Sequence, residues 1–193
     1  SIEKSSTGNK MKKEEIYISA DIEADGPYPI DYSMLSLGAV AFDTTGKELG
    51  CFSVNLETLP NASQHPDTMN WWATQQEAWD ICRKDLVSPD KAMKDFANWV
   101  NTFNAKPVLV GYPAAYDLMF KYKKKKKYVG SSPFSHSALD IKTMASIAMK
   151  CDYRDATKRN MPKSWHSKIP HDHVSVNDAR GQGHLFFNIK SAL

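Results

Sequence analysis

Asp21-Ile22-Glu23 closes a run in which apolar residues fall at every second position from Ile16 to Ile22. Residues i and i+2 of a strand project from the same face, so both carboxylates can grip one hard cation such as Mg²⁺ through oxygen. Acid-x-acid triplets are expected roughly twice by chance in a chain of this composition, and two are found, this one and Glu23-x-Asp25. The pair is therefore also readable as the wet face of a half-buried strand, shared with Tyr17 and Ser19. Asp25 either continues that face as a competing ligand or belongs to the Gly26-Pro27 turn. A further carboxylate, Asp117, follows the apolar run Val108-Leu109-Val110 and the bend Gly111-Tyr112-Pro113, where it is either a third acid delivered to the sheet edge or a first-turn residue compensating a helix dipole. His173 and Asp178 make the only His-x4-Asp spacing in the chain. A capping box over Ser175-Val176-Asn177-Asp178 would explain Asp178 alone. His173 must then precede the helix, because five helical steps would turn it about 140° away from Asp178. A loop histidine beside a carboxylate suits general-base work, its ordinary pKa of about 6.5 letting it take or release a proton near neutral pH.

The elements that position these groups can be traced along the chain. Residues 1–15 are polar and aperiodic and are expected to be a disordered lead-in to a single domain over 16–193. Strands are expected from Ile16 to Asp21, Met34 to Phe42 and Leu49 to Leu56, the last two joined by a turn at Thr44-Thr45-Gly46, which makes an antiparallel meander. Met69, Trp72, Gln76 and Trp79, spaced three, four and three apart, predict one helix from Asp67 or Thr68. Ser88-Pro89 supplies an N-cap and a first-turn proline for a helix whose apolar face is Ala92, Met93, Phe96, Trp99, Val100 and Phe103. A strand over Pro107 to Gly111, a helix from Ala115 to about Tyr128, a short strand over Leu139 to Ile141, a helix over Met144 to Met149, a long loop over 151–172 and a last helix from Val176 to Ile189 complete the order. A three-strand meander followed by alternating helices and strands is an α/β mixed sheet flanked by helices, the order of a ribonuclease-H-like domain.

Composition narrows the class of protein. With 41% hydrophobic and 24% charged residues the chain can build a core, which argues against disorder and low-complexity scaffolds. No run of 18 apolar residues occurs and the first residues are polar, so a cytoplasmic address and no membrane partner are expected. Cys51, Cys82 and Cys151 are odd in number and far apart, giving neither a disulfide framework nor a zinc-type CxxC. The net charge of +3 rests on Lys121 and Lys123–Lys127, without which acidic residues outnumber basic ones.

Taken in order, Asp21-x-Glu23, Asp117 and His173-x4-Asp178 resemble the DnaQ-like 3′–5′ exonucleases of the DEDDh group. Gly26, Ser36-Leu37-Gly38-Ala39-Val40, Tyr116-Asp117 and Ala179 fit the same pattern, and Thr68-x-x-Trp71-Trp72-x-x-Gln75 is similar to a bacterial and phage exoribonuclease-like branch. The resemblance implies a metal-dependent 3′–5′ exonuclease in which Asp21, Glu23, Asp117 and Asp178 are metal ligands and His173 is the base. It implies two Mg²⁺ ions, with Mn²⁺ able to substitute, that activate water and neutralise the leaving oxygen, and a single-stranded or 3′-overhanging nucleic acid as partner. A homodimer is a further candidate assembly. Two positions depart from the pattern, Ala24 where threonine is usual and Pro113 where asparagine is frequent, and both bear on substrate contacts rather than on the metals. Trp71 lies about 100° round its helix from Trp72, as a rim residue of the core or as a stacking platform for a base. Asp140 is expected to cap the helix after it, and His171 and His184 are ordinary polar residues on this reading. The competing functions are a catalytically silent nucleic-acid-binding or assembly module with the same fold and a phosphoesterase acting on small nucleotides.

Lys123, Lys124, Lys125, Lys126 and Lys127 turn through more than one helical revolution, leaving no face to bury, so they are read as a solvated run or as a basic patch for phosphates. If the patch touches phosphates, replacing the five by glutamine weakens binding to all sequences alike and flattens the dependence of log affinity on log salt by about 0.7 per lost contact on single strands. An identical salt slope in both proteins identifies the run as merely solvated.

Overall fold

The computed structural model describes residues 13–28, 31–114, 133–135 and 137–193. Five strands form one mixed sheet in the order β3-β2-β1-β4-β5, with β1 (Glu15–Ala24), β2 (Met34–Phe42), β3 (Glu48–Asn55), β4 (Lys106–Gly111) and β5 (Leu139–Asp140). β1, β2 and β3 pair antiparallel as the expected meander, while β4 and β5 add in parallel to β1. The sheet begins at Glu15, and the Glu14 carbonyl already accepts the Lys106 amide at 2.8 Å, while the first twelve residues of the lead-in expected over 1–15 lie outside the described ones. The helix expected over Ala115 to Tyr128 lies outside them too.

Strand alternation sends two sets of side chains to two helical layers. Ile16, Ile18, Ala20 and Ile22 of β1, with Leu37, Ala39 and Ala41 of β2, pack against Ala92, Met93, Phe96 and Val100 of α3 (Pro89–Asn101). As expected, α3 opens on Ser88, whose side chain accepts the Lys91 amide, with Pro89 in its first turn. The other face carries Tyr17, Ser19, Val40 and Phe42, covered by the last helix, Ser175–Lys190, called α5 here because α4 is Ile141–Met149. Tyr17 is 8% exposed and Ser19 only 1%. The face therefore is not wet, and the solvated-strand account of Asp21 and Glu23 fails because α5 covers the residues before them.

That packing is close. A side chain on Gly38 would overlap the Ser175 and Val176 backbone, and one on Gly183 would overlap the Phe42 ring. Polar groups trapped between the layers bridge them: Ser19 Oγ donates to the Ala179 carbonyl at 2.7 Å, and Gln182 Nε2 donates to Ser19 Oγ at 3.0 Å and the Ala20 carbonyl at 3.2 Å. Arg180 adds a two-pronged pair to Glu48 on β3.

Three expected elements differ. The single helix through Met69 and Trp79 is two, α1 (Pro66–Trp72) and α2 (Gln76–Cys82). The Thr74 hydroxyl and amide both donate to the Trp71 carbonyl and the Gln75 amide donates to Trp72, which ends the ladder and lets each short helix seat its own residues, Trp72 from one and Ala78 and Cys82 from the other, around Leu35. β5 ends at Asp140, so Ile141 opens α4; Asp140 caps it through Thr143, as expected, and also accepts the Ala114 amide at 2.9 Å. The capping box over Ser175–Asp178 does not form, because Ser175 is already helical and buried and the helix starts from Val174 without a side-chain cap. The 151–172 segment holds three short 3₁₀ turns. Among the described residues no helix is long and apolar enough to cross a membrane.

The tight seat of α5 on β2 has a measurable consequence. Gly38→Val should lower stability by about 1–3 kcal/mol or more through overpacking, whereas Gly50→Ala, whose new methyl meets only an ordinary contact with Phe103, should change it by less than about 1 kcal/mol. Urea denaturation of both variants checks this; equal stability would show that α5 moves off the sheet without cost.

Candidate active site

Asp21 and Glu23 stand on the last turn of the pleat in β1, and Asp178 comes down on them from the first turn of α5. One carboxylate oxygen from each lies within 4.8 Å of the others. Beyond Glu23 the pairing of β1 with β2 shifts register, and the strand end is fixed from outside by Trp72, whose Nε1 donates to the Ala24 carbonyl at 3.1 Å. Ala24 itself is buried at this corner. Asp25 turns away: it is 1% exposed, and its Oδ1 accepts the Ser33 amide at 2.5 Å. Of its two readings the turn is therefore the right one.

Asp178 is held asymmetrically. Its side chain is only 3% exposed, and Oδ1 takes His171 Nδ1 at 2.9 Å and the Asp172 amide at 3.2 Å. Oδ2 is buried with no hydrogen-bond donor among the described residues. A buried carboxylate oxygen without a donor, beside two further carboxylates, has the chemistry of a ligand set for a hard divalent cation.

His173 sits in the loop before α5, as its spacing required, with a left-handed φ of 60°. Its ring meets Trp71 edge to face at 4.7 Å between centroids and His171 at 4.4 Å. Burial first, and the neighbouring His171 second, push the His173 imidazole below its ordinary range against the opposing pull of Asp178 and Asp172. The ring is thus kept neutral and able to accept a proton at neutral pH. Trp71 is 37% exposed, packed on Trp72 on one side and His173 on the other, which places the rim tryptophan against the loop before α5.

His171 is the residue that spacing arguments missed. It carries no standard spacing to Asp178, yet the loop folds it back onto that carboxylate; the readable trace is the His-x-His flanking Asp172. Asp172 ties the loop together, its Oδ1 accepting the Val174 amide at 3.0 Å and its Oδ2 the Asn177 side-chain amide at 2.8 Å. His184 lies away from the site, bonded to Ser167 and packed on Phe42. Asp117 and the run Lys123–Lys127 lie outside the described residues.

A curated relative, the 3′–5′ DNA exonuclease Cap18 of Escherichia coli, is 32% identical over 178 residues, covering 89% of this chain and 90% of the relative. Among solved structures, the fold matches the DEDDh family member 3′hExo in its nuclease domain bound to rAMP, at 12% identity and a TM-score of 0.65 over 91% of this chain and 90% of that one. It also matches E. coli exonuclease I in complex with a dA16 oligonucleotide, at 14% identity and a TM-score of 0.63 over 92% of this chain and 41% of that one. A 3′-exonuclease recognising the 3′ end of a histone mRNA stem-loop aligns with a TM-score of 0.70 at 10% identity, over 94% of this chain and 64% of that one. The chain thus spans less than two thirds of these last two structures. The expected ribonuclease-H-like architecture and the DnaQ-like, DEDDh resemblance are borne out. Since the family model described as the 3′–5′ exoribonuclease Rv2179c-like domain runs over residues 17–189, from the third residue of β1 to the next-to-last residue of α5, the chain belongs to that family and is a 3′–5′ exonuclease.

Proposed function

We propose that this exonuclease removes nucleotides from single-stranded or 3′-overhanging nucleic acid with Asp21, Glu23 and Asp178 holding divalent cations, Asp117 completing the set, and His173 as general base. The reading is carried by one observation, the convergence of strand-end and helix-start carboxylates within 4.8 Å beside an imidazole held neutral. Two bound Mg²⁺ ions, or Mn²⁺ in their place, would supply positive charge against the anionic phosphodiester, which four carboxylates alone would repel.

The chain's own groups account for the rest. His173 accepts the proton of the attacking water, and Trp71 against its ring limits the directions in which it can swing. His171 and the Asp172 amide fix Oδ1 of Asp178 and leave its carboxylate held in the cluster with Asp21 and Glu23. Water adds to phosphorus, the 3′-oxygen of the penultimate nucleotide leaves, and a nucleoside 5′-monophosphate is released from a shortened 3′-hydroxyl end. The relative is named for DNA and the family for RNA, and the chemistry is common to both. Early release of labelled mononucleotide from 3′-labelled RNA and DNA, with stepwise shortening of the 5′-labelled strands, in Mg²⁺ or Mn²⁺ tests the reading and separates the substrates.

Two variants make it specific. Asp21→Asn should abolish turnover with the fold intact, since it removes charge that holds cations rather than a core contact; full activity after EDTA treatment and Mg²⁺ replenishment would defeat the metal assignment. His173→Ala should lower the rate by about 10²–10⁴-fold at unchanged Mg²⁺ requirement. His171→Ala should act differently, raising the Mg²⁺ concentration needed by about 10–100-fold with His171→Asn, which keeps a donor, recovering part of the loss. If His171→Ala instead removes activity at every Mg²⁺ concentration while His173→Ala is mild, the roles of the two imidazoles are exchanged.

A further inference from the structure

We propose that His171, His173 and Asp178 form a second metal site, selective for a borderline-soft divalent ion such as Zn²⁺, whose occupation silences the exonuclease. The silencing rests on the function proposed above; the binding does not.

One ligand atom from each of the three residues lies within 4.8 Å of the others, and His171 Nδ1 is already 2.9 Å from Asp178 Oδ1. A tetrahedral Zn²⁺ with bonds of about 2.0–2.1 Å needs its donors about 3.3 Å apart, so small side-chain rotations suffice. The loop holds the donors in place. Asp172 is bonded at its amide to Asp178 and at its carboxylate to Val174 and Asn177, so the histidines on either side of it stay against Asp178. Trp71 backs the His173 ring from outside. The Asp178 side chain is more than nine-tenths buried and keeps Oδ2 without a donor, while His171 is 58% exposed and gives an ion a way in from solvent.

Donor chemistry separates this set from the acidic one. Asp21, Glu23 and Asp178 offer oxygen only, which suits Mg²⁺. Two imidazoles and one carboxylate suit Zn²⁺, Co²⁺ or Ni²⁺, with a fourth position left open. The two sets share Asp178. An ion on the imidazoles would therefore take the lone pair of the base and a carboxylate from the catalytic set together, so zinc and turnover exclude one another.

Titration calorimetry with Zn²⁺ on the metal-free full chain, together with visible absorption of bound Co²⁺, tests the site directly. One Zn²⁺ per chain is expected, with Co²⁺ bands in the nitrogen-ligated, low-coordinate range. His171→Ala and His173→Ala should each weaken binding by more than the about 10–100-fold that loss of an outer-shell partner costs, while Asp21→Asn and His184→Ala leave it within about threefold. Circular dichroism of the metal-free variants controls for folding, and the exposure of His171 makes that variant safe for the core. In the activity arm, Zn²⁺ should inhibit Mg²⁺-supported nucleotide release in the parent protein at the concentration at which it binds. If Zn²⁺ affinity is lost in Asp21→Asn and unchanged in His171→Ala, the ion goes to the acidic set and the second site is refuted. If no Zn²⁺ binds while the nuclease works, the site falls and the nuclease reading stands; if Zn²⁺ binds as expected to a chain without nuclease activity, the reverse holds.

Discussion

The molecule depends on how closely α5 lies against β1 and β2. The approach is possible because Gly38 and Gly183 leave room where any side chain would collide with the opposite layer, and it is held in part by hydrogen bonds that cross between the layers. Ser19, Ala179 and Gln182 link the two layers by hydrogen bonds buried away from water, where a lost partner costs the full desolvation of the group left behind. The apolar residues around them, Val40, Phe42, Ala179 and Phe186, supply the burial. The lock lies two residues before Asp21 on the strand and one to four residues from Asp178 on the helix, so the error in placing one carboxylate against the other is kept short.

The strand end is positioned from the opposite side by a separate device. Trp72 is buried and hydrogen-bonds to the Ala24 carbonyl just where the pairing of β1 slips, and its neighbour Trp71 emerges beside His173. Adjacent tryptophans on one short helix thus do two things, one anchoring the backbone that bears the carboxylates and the other packing on the histidine loop. The break between α1 and α2 serves the same end, since a straight helix through Trp79 would carry its second half past Leu35 instead of around it.

Much of this was readable from residue order. The period-two runs gave the meander with its boundaries within three residues, Ser88-Pro89 marked the start of α3, and Asp21-x-Glu23 with His173-x4-Asp178 marked both sides of the carboxylate cluster. What escaped is what depends on three-dimensional return of the chain. Tyr17 and Ser19 looked solvated because alternation tells which residues share a face and not what covers it. Ser175 looked like a cap because cap sequences also occur one residue inside a helix start that tertiary packing has fixed, here by the seat on Gly38. His171 looked ordinary because a left-handed turn at His173 folds the loop, and no spacing rule follows a chain through such a turn.

The asymmetric environment of Asp178 ties fold to chemistry. A carboxylate taken out of water is stable only if both oxygens are compensated, and the loop compensates one, through His171 and the Asp172 amide. The other has no donor among the described residues, and the group stands in one cluster with Asp21 and Glu23, where like charge raises the cost instead of lowering it. Packing of α5 along its remaining turns is what holds the group there: Ala179, Gln182, Phe186 and Ile189 are all buried against the sheet or the layer behind it. The helix is thus anchored by its middle and its end while its first turn presents an uncompensated charge, and in the proposed function that charge is what a cation would meet. The strength of the lock and the affinity of the site are on this view the same quantity seen from two sides, since a looser helix would let Asp178 relax into solvent and leave the pair on β1 with no third oxygen to close the set.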